Sequence, residues 1–384
     1  MAEYLTNTTD LTKVASAIRE KGGTSDLLVY PDGFVTAIQA IQTGTELQII
    51  VSVTSGATVT ATKGSLSVSG TSVNNSCTLT VPEAGTWTVK ATLNGQTSGE
   101  ESVTFTYSYA VALFFATVVL NDNEWNVIKS VSDAGQGANF WSIGDRKEVT
   151  LNGTVGHLTL SNYTTYAFII GFNHNQELEG ANRIHFQFAK TALSGGTDVC
   201  FCDNQYAEDN DWSEPGLGYF VMNASPTSPG GWASSQMRTN ICGTSLSSYS
   251  GTIIAVIPAA LRAVLKSVTK YTDNTANGAS SMASYVTATA DYFFLLSEFE
   301  VFGSIEYGNT YEKNKQAQYA YYSAGNSKIK YKHNGTSTYA IWWLRSPYAG
   351  ETGKFLVVYA YESAETVEAV YGSASLGFAP GFCV

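Results

Sequence analysis

A stretch of short alternating segments, residues 45–107, limits the fold more than any other feature of the sequence. Val and Thr alternate there with small polar residues, and turn-forming pairs such as Ser-Gly, Asn-Asn and Asn-Gly interrupt the alternation at short intervals. A period of two is typical of strands with one buried face, and Asn-Gly is a common hairpin turn. The stretch has room for about seven such strands, which predicts a small β-sandwich. It contains no cluster of chemically reactive residues, so we expect it to be a spacer.

Two short helical patterns precede the sandwich, within residues 1–44. The apolar residues with helical spacing are Leu11, Val14, Ala15 and Ile18 in the first pattern and Phe34, Ile38 and Ile41 in the second. Helices of this length cannot bury their apolar faces alone, so they need each other or a partner. Two interpretations stay open: a small helical cap, or a module for attachment and oligomerisation.

Residues 108–384 form one long block in which strand-like runs alternate with Gly-, Asn- and Ser-rich loops. The apolar run at residues 109–120 is too short to span a bilayer, and its β-branched residues predict a buried strand. Residues 258–271 predict a helix, with Pro258 at its first position and Lys270 in its last turn. The mixture predicts an α+β domain.

The charge balance argues against several classes of partner. The formal net charge is −11, and the sequence contains no run of Lys and Arg. We therefore expect no nucleic-acid partner, because phosphate binding requires clustered cations. The N-terminus has neither the basic nor the apolar region of a secretory signal, so we expect synthesis in a cytoplasm, no export by the usual route and no membrane insertion.

The cysteines predict neither a disulfide framework nor a metal site. The five are Cys77, Cys200, Cys202, Cys242 and Cys383. An odd number of cysteines without a secretory signal is typical of free buried thiols, and zinc would need more soft ligands than three of these cysteines supply.

Calcium has one weak candidate site, in the acidic loop at residues 202–216. Asp209, Asp211 and Ser213 alternate as the first ligands of a calcium loop do, but the expected Gly and the bidentate Glu do not follow. A solvated acidic loop fits better. The hydrolase, nucleotide and zinc-protease motifs are also missing, so we expect no metal, no cofactor and no catalysis.

Near the C-terminus, the sequence "WWLRSP" at residues 342–347 comes directly before a window rich in Tyr, Ser, Gly and Glu. In a strand Trp342 and Trp343 point in opposite directions, so at least one is buried. A buried Arg345 needs an acidic partner, for which Glu298 and Glu300 are the candidates, unless it donates to backbone carbonyls instead.

The window after Pro347 supplies the candidate ligand-binding face. Tyrosine gives a large contact area with few rotors to immobilise, as in antibody loops. An ordinary, partly exposed β-surface is the alternative. The candidate ligand-binding residues are Tyr348, Glu351, Lys354, Tyr359, Tyr361, Glu362, Glu365, Thr366, Glu368, Tyr371 and Ser373.

Several motifs in a fixed order resemble known families. Residues 11–42 resemble the N-terminal module of tail and baseplate-associated proteins in phages and prophages of gut Firmicutes. "GGWASSQMRTN", "DYFFLLSEFEVFG", "WWLRSP" and "GFAPGFCV" resemble a domain of clostridial and phage surface proteins. Some members of that family are varied by diversity-generating retroelements, and these relatives have a C-type-lectin-like fold. The resemblance covers most of residues 130–384 and the first 44.

The resemblance implies three domains. These are a two-helix attachment module at 1–44, an Ig-like β-sandwich at 45–107, and an α+β C-type-lectin-like ligand-binding domain at 108–384 with a variable-type surface at 348–375. Changing adenines in an Asn codon cannot produce Glu, so the four glutamates in that window are either fixed or mark a copy that is not diversified. The calcium and sugar signatures of lectins are missing, so calcium-dependent sugar binding is not implied.

The resemblance further implies a non-catalytic receptor-binding protein of the phage tail tip, located in the virion tail. It would bind a host cell-surface protein or glycan, contact other tail or baseplate proteins through residues 1–44, and form a homotrimer. A bacterial cell-surface adhesion protein with the same domain is the second interpretation. An oxidase is the third, because sulfatase-activating oxidases have related folds, but Cys200, Cys202 and Cys242 do not reproduce a recognisable copper-binding pair.

Overall fold

The chain forms two compact units in a computed structural model, Met1–Phe115 and Ala116–Val384. The boundary lies further along the chain than residue 107. Helices and strands are mixed, and strands predominate. The structure describes residues 8–22, 28, 32–40, 47–105, 109–113, 115–206, 220–278, 281–361 and 364–384.

Two helices begin the first unit, α1 (Thr8–Gly22) and α2 (Asp32–Ala40). Ala15 and Ile18 of α1 pack against Phe34 of α2, and the three side chains are buried. Val14, in contrast, is 49% exposed although it follows the same helical spacing. Ile41 and the side chain of Ile38 lie outside the described residues.

The rest of the first unit consists of two β-sheets around one apolar core. The strands are β1 (Leu47–Ser52), β2 (Thr58–Lys63), β3 (Leu66–Thr71), β4 (Ser76–Val81), β5 (Gly85–Leu93), β6 (Gln96–Thr97), β7 (Glu101–Phe105) and β8 (Tyr109–Ala112). One sheet has the order β4-β1-β8, and the other has the order β3-β2-β5-β6 with β7 also paired to β5. Alternation places Cys77, Leu79 and Val81 of β4 in the core, because successive side chains of a strand point to opposite faces.

The prediction of one buried strand at residues 109–120 is wrong, because only the first four residues form a strand and Ala110 within it is exposed. Strand β8 ends at Ala112 and pairs with β1 in parallel, and Val118 and Val119 are exposed. Apolar side chains alone do not make a strand when no neighbouring strand supplies hydrogen bonds.

A five-stranded sheet is the base of the second unit. Its strands are β9 (Arg146–Val155), β10 (Leu158–Phe172), β11 (Ile184–Lys190), β15 (Phe293–Phe294) and β21 (Gly381–Cys383). The order is β15-β21-β11-β10-β9, so the C-terminal strand pairs on both sides. Phe382 of β21 lies 5.3 Å from Phe186, 5.2 Å from Phe188 and 5.3 Å from Phe293 between ring centroids. This aromatic packing holds the end of the chain inside the unit.

The second unit also contains three smaller sheets. The first contains β12 (Val199–Cys200), β16 (Lys330–Lys332) and β17 (Gly335–Ala340); the second contains β13 (Val268–Asp273) and β14 (Val286–Asp291); the third contains β18 (Trp342–Pro347), β19 (Lys354–Tyr361) and β20 (Ala364–Tyr371). In the third sheet β19 is central, and Lys354 pairs with Tyr371 while Tyr359 pairs with Thr366.

The helices of the second unit are short. They are α3 (Trp125–Asp133), α4 (Gly137–Phe140), α5 (Gln176–Glu179), α6 (Gly231–Ser234), α7 (Ile253–Val256), α8 (Ala259–Arg262), α9 (Glu298–Phe302) and α10 (Ala320–Ser323), with a π-helical turn at Met237–Cys242 and 3-10 turns at Leu120–Asp122, Ala283–Tyr285 and Glu312–Asn314. No helix among the described residues is long and apolar enough to cross a membrane.

The prediction of a helix at residues 258–271 is correct for its first turn only and wrong beyond Arg262. Helix α8 ends at Arg262, and the second half of the segment is strand β13, paired with β14 from Val268 to Asp273. The β-branched residues Val268, Thr269 and Thr272 favour the extended conformation. Lys270 is consequently a completely buried strand residue and is not in the last turn of a helix as predicted.

Replacing Trp87 with Ala should destabilise the sandwich by about 3–5 kcal/mol, because it empties a large space in a closed core. The Trp87 side chain is completely buried, and its indole N–H donates to the carbonyl of Glu83 at 3.1 Å. Denaturant titration of the full chain, followed by circular dichroism, measures the change. Val73→Ala is the control, because Val73 is 67% exposed and should change the free energy of unfolding by less than about 0.5 kcal/mol. Equal effects of the two substitutions would contradict the packing described.

Candidate functional site

Strand β18 is buried along its whole length and supports the candidate site. Both indole N–H groups donate to backbone carbonyls, that of Trp342 to Lys328 at 2.9 Å and that of Trp343 to Phe220 at 2.9 Å. Each ring is completely buried, so neither is available to a ligand. The backbone N–H of Trp343 also donates to the carbonyl of Gly377, which joins the strand to the C-terminal segment.

Arg345 is completely buried and pairs with Glu300, one of the two acids predicted for it. The guanidinium donates to both carboxylate oxygens of Glu300, with Nη2 at 2.8 Å from Oε1. It also donates to Thr272 Oγ1 and to the carbonyl of Leu295, each at 2.9 Å. Such a bidentate pair fixes both side chains in one orientation.

Glu298, the other predicted partner, has a different role. Its carboxylate accepts backbone N–H groups from Glu306 at 2.6 Å, Tyr307 at 3.1 Å and Gly308 at 2.8 Å. It therefore fixes the loop that follows helix α9, and Arg345 pairs with Glu300 instead.

Lys270 extends the Arg345–Glu300 pair into a network. Its ammonium donates to Glu300 Oε1 at 2.9 Å, to Glu179 Oε2 at 2.6 Å and to the hydroxyl of Tyr319 at 2.8 Å. Burial acts to raise the pKa of Glu300, but Arg345 and Lys270 outweigh it and hold that pKa below its usual range. We call Trp342, Trp343, Arg345, Glu300 and Lys270 the buried frame. The sequence analysis missed Lys270 and Glu179, whose inward direction follows only from the strand and the fold.

A group of potential metal ligands adjoins the buried frame. Single ligand atoms of His174, Glu179 and Glu300 all lie within 4.8 Å of one another. Both carboxylates already bind Lys270, and Glu300 also binds Arg345, so a metal ion would have to displace two buried cations. This competition favours a structural role for the three residues.

The residues of the site that reach the surface, most of them half-buried, are on β19, β20 and the turn that precedes β19. Lys354 Nζ lies 2.8 Å from Glu351 Oε2 and 4.7 Å from the ring centroid of Tyr371. The Tyr371 hydroxyl donates to Glu351 Oε1 at 2.9 Å, and the Tyr348 ring meets Tyr307 edge-on at 5.9 Å. These side chains therefore hold one another in place at the surface.

A depression of about 500 Å³ lies beside this cluster. Lys354, Tyr359, Glu368 and Tyr371 line it, together with Ala369 and Val370. Glu368 and its neighbour Thr366 are exposed, and Tyr359 is half-buried. We call the residues that the structure brings together here the β19–β20 surface: Tyr348, Glu351, Lys354, Tyr359, Thr366, Glu368 and Tyr371.

Two residues predicted to contact ligand have other positions in the structure. Ser373 is completely buried, so the prediction that it lies on an exposed face is wrong. Glu365 accepts from Ser327 Oγ at 2.5 Å and from the Lys328 backbone at 2.7 Å, with Lys328 Nζ at 3.2 Å, so its carboxylate holds a neighbouring loop.

Some predicted residues lie outside the described part of the chain. Glu362 and the calcium candidates Asp209, Asp211 and Ser213 belong to this group. The backbone of Tyr361 pairs with that of Ala364, whereas the Tyr361 side chain is not among the described residues.

Comparison with known families matches only the C-terminal part of the chain. A family model described as a domain of unknown function, DUF6273, matches residues 219–384. The buried frame and the β19–β20 surface both lie within that stretch. No curated protein and no solved structure matches the chain.

Replacing Arg345 with Met should cost about 3–5 kcal/mol of stability, because it leaves buried Glu300 without its bidentate partner. Lys328→Met is the matched control, since it removes a cation from the partly exposed pair with Glu365 and should cost about 1 kcal/mol or less. Denaturant titration of the parent and both variants gives the comparison. Similar losses for the two variants would show that the Arg345–Glu300 pair does not have the importance assigned to it.

His174 should make the protein less stable in acid. Burial, assisted by Lys270, lowers its pKa to about 3, whereas the unfolded chain titrates near the ordinary value of 6.5. Because the unfolded state then binds the extra proton, the contribution of His174 is fully present above about pH 6.5 and is lost as the pH falls towards 3.

The variant His174→Phe isolates this contribution and keeps a ring against Tyr319, on which His174 stacks at 3.7 Å. As the pH falls from about 6 to 4, the free energy of unfolding of the variant should decrease less steeply than that of the parent. The difference between the two slopes should correspond to at most one proton per molecule. Denaturant titrations at a series of pH values measure both slopes. Parallel profiles would refute the assignment.

Proposed function

We propose that this chain is a non-catalytic receptor-binding protein of a phage or prophage tail. Its C-type-lectin-like second unit would bind a host-surface protein or glycan through the β19–β20 surface. The contrast between that surface and the strand beneath it carries the proposal. Strand β18 is completely buried and hydrogen-bonded, whereas the neighbouring strands present Tyr, Lys and Glu side chains that contact mainly one another.

The chemistry of the β19–β20 surface suits recognition of a large partner. Tyr359 and Tyr371 offer aromatic area, while Lys354 and Glu368 place charges of both signs in the same depression. Rigid aromatic groups surrounded by adaptable polar groups are typical of protein-binding faces. The buried frame supports them, so little order has to be gained on binding.

The buried acids support binding over catalysis. Glu179 and Glu300 are enclosed and paired with Lys270 and Arg345, which commits them to holding the fold. A general acid or base must reach its substrate, directly or through one water molecule. These carboxylates are completely covered instead.

The N-terminal helices support a role in assembly. Val14 and Val35 are about half exposed on helices that bury only a small common core. Exposed apolar side chains on such short helices suit contact with other tail or baseplate proteins, or with further copies of the chain in a homotrimer. The order of the sequence motifs, from residues 11–42 to the C-terminus, supports placing the protein in the virion tail.

Tyr359→Ala should weaken binding to host cells about tenfold or more, which is the usual effect of removing a central aromatic contact. The labelled full chain is titrated onto whole cells of a panel of gut Firmicutes strains, and bound fluorescence is measured by flow cytometry. Tyr311→Ala is the control, because Tyr311 is an exposed tyrosine that does not line the depression.

Circular dichroism of both variants establishes that they are folded. Binding that Tyr359→Ala and Tyr311→Ala leave equally strong would contradict the placement of the receptor site. Failure of the parent to bind every strain would contradict the host-surface role itself.

A further inference from the structure

A second cleft, of about 750 Å³, lies between the turn at residues 190–198 and the hairpin β16–β17. A backbone bridge between Lys190 and Asp198 closes the turn on one side, and Tyr331 and Tyr339 belong to the hairpin on the other. Its volume is typical of sites that bind small molecules. None of the residues of the β19–β20 surface lines it.

The floor of the cleft is a polar cluster in which Lys190 pairs with Asp198. The ammonium of Lys190 contacts the Asp198 carboxylate and lies 2.8 Å from the Tyr321 hydroxyl. That hydroxyl lies 3.5 Å from the second oxygen of Asp198. The Lys190 ammonium also sits 4.6 Å from the centroid of the Phe168 ring. The Asp198 carboxylate therefore already compensates the Lys190 charge, so Lys190 does not need an anionic ligand.

Arg146 differs from Lys190 because its charge has no acidic partner in the described part of the chain. Its Nη1 donates to the carbonyls of Ala192 at 2.6 Å and Gly195 at 2.5 Å, which fixes the plane of the guanidinium. Its Nε and Nη2 donate to no acceptor among the described residues, and the side chain is partly exposed at the cleft. This free edge has the geometry that binds a carboxylate through two parallel hydrogen bonds.

An aromatic pair forms the opposite side of the cleft. The rings of Tyr331 and Tyr339 are stacked, with centroids 4.9 Å apart and an interplanar angle of 28°. Asn326, Thr336 and Ser337 add amide and hydroxyl groups around them. An apolar aromatic face surrounded by hydrogen-bonding groups suits a ring that is apolar on its faces and hydroxylated at its edge.

We infer that this cleft binds an acidic saccharide unit, such as a uronic or sialic acid. The carboxylate would occupy the free edge of Arg146, and a sugar ring would stack on the Tyr331–Tyr339 pair. A phosphate group fits less well, because the Asp198 carboxylate lies in the same cleft and would repel its greater negative charge. None of the groups that would bind the sugar needs calcium. The cleft is separate from the β19–β20 surface, so this inference does not depend on the function proposed for that surface.

The test is calorimetric titration of the full chain, with a metal chelator present, against oligosaccharides that contain uronic or sialic acids. Each probe is paired with its carboxyl-reduced counterpart, which has the same ring and no charge. At least one acidic probe should bind, and its reduced counterpart should bind about tenfold more weakly or worse. Binding of no acidic probe, or equal binding within every pair, overturns the inference.

Three variants locate the binding within the cleft. Arg146→Gln should remove the preference for the acidic probe, because it removes the charge and the rigid fork. Tyr339→Ala should weaken the binding of both probes, whereas Tyr339→Phe should keep the stacking and most of the affinity. An unchanged preference in Arg146→Gln would overturn the assignment of the carboxylate.

A further variant separates the two sites. Tyr359→Ala changes the β19–β20 surface and should leave saccharide binding as in the parent. Loss of saccharide binding in Tyr359→Ala would place the saccharide at the other site and would refute this inference. Loss of cell binding alone would concern only the proposed receptor face.

Discussion

The buried pairing of Arg345 with Glu300 is the interaction on which the second unit depends. Lys270 shares the same carboxylate, so that strand β18, helix α9 and strand β13 meet at one charged point. Charged side chains that are buried away from water are tolerated only when their partners are in place. A shift of one strand or helix would leave a buried charge without its partner. The network therefore favours one arrangement of these elements over other compact packings of the same apolar side chains.

The position of the candidate receptor face follows from this arrangement. Strand β18 holds Arg345 inside, β19 pairs with β18, and β20 pairs with β19 at the margin of the sheet. Burial decreases in that order, from a completely enclosed strand to one on which Thr366 and Glu368 are exposed. The side chains that could meet a partner thus lie on β19, on β20 and in the turn before β19, and not on the strand that carries Arg345.

The sequence predicts those parts of the site that follow from the chemistry of a single side chain, whatever the fold. A buried arginine needs an acid, and that requirement leads to Glu298 and Glu300 as candidates without knowledge of the fold, whereas the choice of Glu300 comes from the structure. Lys270 illustrates the opposite case, because residues 258–271 fit helical spacing while Val268, Lys270 and Thr272 also alternate as in a strand. Its partner Glu179 and the paired strand β14 decide between the two, and neither is near it in sequence. Burial of Ser373 likewise depends on packing that local sequence does not contain.

Glu365 shows that the window at residues 348–375 is not uniformly free to change. Its carboxylate holds Ser327 and Lys328, and the adjoining residues Asn326 and Ile329 line the second cleft. A substitution at Glu365 would release a loop that lines the second cleft, whereas the side chains of Thr366 and Glu368 hold no loop in this way among the described residues. Tolerance to substitution therefore alternates along β20, because neighbouring side chains of one strand point to opposite faces and make different contacts.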